Sequence, residues 1–211
     1  MSQLIVMKFG GTSMGSAERI RIAASIASEQ AKQSRVAIVV SAMSKVTDLL
    51  LDTLRHAESG DKATIEKNVA SLRERHKQTA SELLANPGPV LDGIDALVGE
   101  FERIAQGMLL LGDRPPRSVD EAIAIGERLT ALMIAAYLNE QSAPSQAINA
   151  ANVVVTDGVF GNATPIMDAT RAKANALMQP LLAQGAIFET FMDAVALAFA
   201  MAVLAAIWWL L

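Results

Sequence analysis

Leu4-Ile5-Val6-Met7-Lys8-Phe9-Gly10-Gly11-Thr12-Ser13 is the stretch that decides the fold. An apolar run ends on a lysine, two adjacent glycines follow, and a helical pattern opens near Ser16. The order is strand, glycine turn, helix N-terminus. Glycines let a backbone approach a ligand without interference from Cβ, and the N–H groups of a turn and a helix start favour an anion. A lysine at the strand end adds a positive charge suited to stabilising a phosphoryl group in transfer. The commoner nucleotide motifs are not met. Gly10 and Gly15 have the Walker A spacing, but Ser16-Ala17 stands where Lys-Ser/Thr is required, and no G-x-G-x-x-G occurs here.

Working outward, Ser16 predicts the cap of a helix to about residue 33, with Ile20, Ala23, Ala24 and Ala27 on one face. Residues 35–42 read as a continuous apolar strand of the buried parallel type, followed by the polar turn Ser44-Lys45-Val46-Thr47-Asp48. Two helices are expected between 46 and 84, parted near Gly60-Asp61, and another over 90–111, bounded by Asn86-Pro87-Gly88-Pro89 and Gly112. Ser118-Val119-Asp120-Glu121 matches a capping box and predicts the start of a helix to about 139. A short strand near 145–149, a hairpin turn at Asp157-Gly158 and a last amphipathic helix from Asp168 or Thr170 to about 183 complete the pattern.

Three ordered segments now stand together: Lys8-Phe9-Gly10-Gly11-Thr12-Ser13, Val39-Val40-Ser41-Ala42-Met43 with Thr47-Asp48, and Gly126-Glu127-Arg128-Leu129. With these the chain resembles the aspartate kinase branch of the amino-acid kinase family. The resemblance covers residues 1–187. It implies an αβα sandwich with a mainly parallel sheet, an α/β fold present here as its N-terminal portion. It also implies transfer of the γ-phosphoryl group of ATP to the side-chain carboxylate of L-aspartate, on the route to lysine, threonine and methionine. Mg²⁺ would bridge the phosphates. Relatives acting on glutamate, carbamate or nucleotide monophosphates leave other substrates open, and the context of Thr47 and Glu127 favours aspartate.

Lys8 is the expected electrophilic catalyst. Phe9, Gly10, Gly11, Thr12 and Ser13 join it on the phosphate side, with capping of the helix as the alternative for Thr12 and Ser13. Thr47 and Glu127 match the positions at which the family's hydroxyl and carboxylate meet the two ends of aspartate. Turn or N-cap duty is the bland alternative for Thr47, and a solvated helix face for Glu127. Gly126 inside a helix costs about 1 kcal/mol against alanine, which points to close packing or a ligand beside it. Ser41, at a strand's C-terminal end, is a substrate-side candidate with a local turn bond as its alternative. No metal ligand is assigned. His56 and His76 are read as solvated, and Met7, Met43, Met108, Met133 and Met178 as core.

A net charge of −4 without a basic cluster disfavours nucleic acid as a partner. The absence of cysteine excludes disulfides, thiolate metal sites and cysteine nucleophiles, and no secretory signal opens the chain. A cytoplasmic protein is expected, and a homo-oligomer is compatible with the sequence. From residue 188 the pattern changes, and 194–211 holds no charged residue and includes Trp208-Trp209. The expectation is an atypical apolar tail at 188–211, either an altered or fused reading frame or a membrane anchor, and only this tail would meet a membrane. Without the family's later phosphate loops and adenine region, the chain is expected to be inactive as a kinase. The rival readings are a non-catalytic fragment and a membrane-tethered interaction protein.

Overall fold

The structure, a computed structural model, describes residues 3–183 and 187–191. Its order is β1 (Leu4–Phe9), α1 (Ala17–Ala31), β2 (Arg35–Val40), α2 (Val46–Glu58), α3 (Lys62–Leu83), α4 (Gly88–Leu111), α5 (Pro116–Glu140), β3 (Ser145–Ile148), α6 (Met167–Ala183) and β4 (Ile187–Phe191). The four strands lie in the order β1-β2-β4-β3, and every neighbouring pair is parallel.

β2 explains the layering. Its residues 36–40 are all buried, as a strand covered on both faces must be. Successive side chains alternate between faces, so Val36, Ile38 and Val40 join the large core formed with α1 to α5, whereas Ala37 joins a smaller one. That second core holds Leu4, Ile148, Val153, Val154, Ala174 and Met178. On α6 the buried positions Thr170, Ala174 and Met178 recur every four residues, which gives the helix one apolar stripe for this face. The result is the αβα sandwich expected from the sequence.

Local chemistry sets most boundaries. Ser16 caps α1, its Oγ accepting from the Arg19 N–H at 3.4 Å. Asp61 does the same for α3 through the Thr64 N–H at 3.1 Å. Gly112, in the left-handed region at φ 62°, ends α4. The helix pair over 46–83 therefore matches the expectation, with its break at Gly60-Asp61.

Four expectations are corrected. The capping box at Ser118 is not used, because α5 begins two residues earlier at Pro116, whose fixed φ suits the first helical position and whose missing N–H costs nothing there. His76 is wholly buried in α3 instead of solvated. The Asp157-Gly158 turn closes a wide loop through one antiparallel bridge, Thr156 to Pro165, and makes no regular hairpin. Finally, residues 188–191 are the greater part of β4, inserted between β2 and β3, where the sequence suggested that the sheet pattern had ended. The 194–211 stretch lies outside the described residues. Among those described, no helix is long and apolar enough to cross a membrane.

Candidate active site at the carboxyl edge of the sheet

Parallel α/β sheets bind ligands beyond the carboxyl ends of their strands, and the three sequence motifs meet there. The Phe9 carbonyl at the end of β1 accepts from the Ser41 N–H just past β2, at 3.1 Å. Beyond that bond the two chains diverge into the glycine turn and the β2–α2 loop.

The glycine turn is a run of tight bends. Ser13, Met14 and Gly15 donate their N–H groups to the carbonyls of Gly10, Gly11 and Thr12 at 2.9, 3.2 and 3.4 Å. Met14 is fully buried and pins the turn from beneath, while Arg19 Nη1 donates to the Thr12 carbonyl at 3.1 Å. The two glycines have different duties. A Cβ on Gly11 would lie 2.9 Å from the Ala42 carbonyl oxygen, so only glycine lets the turn pack on the β2–α2 loop. Among the described residues nothing lies within 4 Å of a Cβ built on Gly10, and they leave that side of the turn open to a ligand. Thr12 and Ser13 do not cap α1, since Ser16 does, and their hydroxyls are left for other partners.

Lys8 follows Leu4 and Val6 on the face of β1 toward the smaller core, and its side chain is exposed. No ion pair with the described residues neutralises it. Phe9 faces the other way and, with Ser13, Glu18, Arg19, Ile22, Ala23 and Ile26, lines an open groove of about 380 Å³ along α1.

The amino-acid side is built from α2 and α5. Lys45, in the left-handed region at φ 65°, precedes α2 and offers no side-chain cap to it. Val46 N–H reaches the Met43 carbonyl at 2.9 Å, and Thr47 stands in the uncapped first turn, half-buried. Against this turn lies Gly126 of α5. A Cβ there would meet Ala42 Cβ at 2.9 Å and Leu50 Cδ1 and Val46 Cγ1 at 3.2 Å each. The close packing inferred from a glycine in a helix is thus found, and it brings α5 onto the start of α2. Glu127, the next residue, is 1% exposed and is the only buried carboxylate among the described residues. Its reading as a solvated helix residue is overturned. Burying a carboxylate carries a desolvation cost that its surroundings must offset. Arg128 turns away to Glu100 of α4, with Nη1 to Oε1 at 2.7 Å.

Several supports were not legible in the sequence. Arg75 of α3, one of many charges on that helix, donates from Nη1 to the Ser44 carbonyl at 2.8 Å. The 156–165 loop is tied to the first turns of α5, where Asp120 Oδ2 accepts from the Gly161 N–H at 2.8 Å and the Arg117 guanidinium lies 5.8 Å from the Phe160 ring centre. Inside this loop Asp157 Oδ1 accepts from the N–H groups of Val159 and Thr164, at 3.0 and 3.1 Å. Those bonds, Val159 first, hold its carboxyl below the usual range. The sequence Asp157-Gly158 pointed to the turn but not to its width.

Among the described residues no group of three or more histidines and acids gathers to hold a metal. These residues therefore build no cage for Mg²⁺ by themselves.

Comparison with known proteins gives a consistent answer. The profile of the amino acid kinase family matches residues 3–188. The chain is 32% identical over 161 residues to an aspartokinase of Chlamydia trachomatis, covering 76% of this chain and 34% of that protein. To the chloroplastic aspartokinase 1 of Arabidopsis thaliana it is 34% identical over 137 residues, covering 64% of this chain and 23% of the relative. The structure of E. coli aspartokinase III in complex with aspartate and ADP matches with a TM-score of 0.80 at 24% identity, over 89% of this chain and 40% of that one. The chain spans about a third or less of the curated relatives it matches.

Proposed function

Because the chain belongs to the amino acid kinase family, we propose that its site is the amino-acid side and phosphate-facing edge of an aspartate kinase. The proposed reaction joins a side-chain carboxylate oxygen of L-aspartate to the γ-phosphorus of ATP, while the bond from that phosphorus to the β,γ-bridging oxygen breaks. The products are 4-phospho-L-aspartate and ADP. Positioning and charge stabilisation supply the catalysis, so no covalent enzyme intermediate is required.

Each residue has a role consistent with its place. Lys8, exposed and without an ion-pair partner among the described residues, stabilises the oxygens of the transferring phosphoryl group. The open side of Gly10 and the hydroxyls of Thr12 and Ser13 face the phosphates, with Phe9 and Gly11 holding the turn. Thr47, in the uncapped first turn of α2, receives a carboxylate, which a helix N-terminus favours. Glu127 takes the ammonium group, and Ser41 completes the substrate side at the end of β2. Mg²⁺, when present, neutralises phosphate charge and would be carried by the nucleotide.

The observation that carries this reading is the contact of Gly126 with Ala42 and Val46, which seats α5 on the start of α2 with the buried Glu127 as the next residue. A carboxylate and a helix N-terminus would then offer opposite charges to the two ends of a zwitterion. Titration calorimetry of the purified chain with L-aspartate tests it. Binding that is lost in Glu127→Gln and absent for L-alanine supports the assignment; a wild-type chain that binds no L-aspartate ends it.

A further inference from the structure

Ser44 lies where three elements converge. Its carbonyl accepts from Arg75 Nη1 of α3 at 2.8 Å. On its other side a Cβ built on Gly11 would sit 3.6 Å from the Ser44 nitrogen, and one on Gly15 would sit 3.6 Å from Ser44 Cβ. The glycine turn and the β2–α2 loop therefore touch through Ser44, and Arg75 holds it from behind. The next residue, Lys45, has the left-handed backbone (φ 65°, ψ 4°) that a non-glycine residue adopts only when its surroundings impose it. Lys45 has no side-chain bond to α2 that would do so. The Met43–Val46 bond closes the turn around Ser44 and Lys45, and Arg75, by holding the carbonyl of the peptide between those two residues, is the tertiary restraint on that peptide's orientation. Arg75 is half-buried, and its stem packs while its guanidinium acts.

We propose that Arg75 is a positioning residue that locks the glycine turn and the N-terminus of α2 into one arrangement by fixing the Ser44 carbonyl and, through it, the left-handed turn at Lys45. It touches neither substrate. Its effect is to keep the phosphate-facing loop and the Thr47 end of the site at a constant separation, which in-line transfer demands. The consequence for substrate affinity rests on the aspartate reading above; the mechanical claim does not.

The test compares amide hydrogen exchange and L-aspartate affinity in wild type and Arg75→Met, which keeps the packed stem. Exchange is expected to rise about tenfold in both 10–15 and 42–48, with the α4 and α5 cores unchanged, and L-aspartate to bind about tenfold more weakly. A Lys45→Gly background supplies the discriminating arm, because glycine occupies the left-handed region without being forced. There Arg75→Met is expected to cost less than half as much affinity in logarithmic terms. A purely structural arginine would cost the same in both backgrounds, and that result overturns the proposal, as does faster exchange confined to 42–48. If Arg75→Met fails to fold, Arg75→Gln is read in the same way. A wild type that ignores L-aspartate sinks the functional reading, and the exchange comparison still decides the clamp.

Discussion

Gly126 of α5 approaches Ala42 so closely that a Cβ on the glycine would stand 2.9 Å from that of the alanine. The contact is what seats α5 on the start of α2, one residue before the buried Glu127. It also explains why a residue that weakens a helix is placed inside one.

Gly126→Ala should therefore lower stability although alanine is the better helix former. The intrinsic gain is about 1 kcal/mol, and overpacking a filled contact costs about 1–3 kcal/mol. Since Ala42 and Val46 start the β2–α2 region and Leu50 is fully buried, little relief is available. Urea unfolding is the measurement. A variant more stable than wild type would show that α5 can move away freely.

Glu127→Ala should mainly weaken the binding of L-aspartate. A clamp on the ammonium group acts equally in ground and transition states, so in an active enzyme it would appear in KM and little in kcat. Affinity is expected to fall by at least tenfold in calorimetry of the purified chain, and an unchanged affinity removes Glu127 from the substrate site.

Purified 1–211 should form aspartyl hydroxamate from ATP and L-aspartate at least a hundredfold more slowly than an intact aspartokinase. Phosphoryl transfer needs both substrates held in line, and the residues described contribute a lysine and a glycine turn at the phosphate end. Any residual ATP-dependent rate should fall to background in Lys8→Ala. The same change should leave the urea midpoint alone, because Lys8 is exposed and has no ion pair among the described residues. A rate near that of the intact enzyme would contradict the division of labour proposed here.

Acid should destabilise the fold through His76. The side chain is wholly buried, with Nδ1 2.7 Å from the Leu72 carbonyl and no hydrogen-bond partner for Nε2 among the described residues. Burial lowers its pKa from 6.5 to about 4, against the opposing bond to Leu72 and with help from the charge of Arg75. Between those values the unfolded chain holds a proton that the folded chain does not. Stability is thus full above about pH 6.5, declines as pH falls toward 4, and loses roughly 3 kcal/mol in all. Unfolding free energies of wild type and His76→Met across this window check it, and parallel pH profiles would show that another group is responsible.

The sequence by itself determined whatever depends on near neighbours along the chain. Continuous apolar runs and helical apolar patterns placed strands and helices, Ser16 and Gly112 set ends by hydrogen bonds and backbone freedom local to them, and three motifs in order carried the resemblance to the family. Lys8 and Gly10 could be named as candidates from their place at a strand end and a glycine turn, while Thr47 and Glu127 were named through the resemblance. What a residue is packed against is set by elements far away in the chain, and this only the tertiary structure decided. His76 has polar neighbours in sequence that suggested solvent, and a solvated helix face was the alternative for Glu127, yet α3 and α5 are enclosed by other helices and bury them. Ser118 offered a sound capping box, but Pro116 started the helix first. Residues 187–191 carry a glutamate between phenylalanines and looked like the end of the pattern, while ladder bonds from β2 and β3 on either side make them a central strand. The bond from Arg75 to Ser44 spans 31 positions, and no periodicity or motif encodes a partner at that distance; it exists because α3 folds back against the loop it holds.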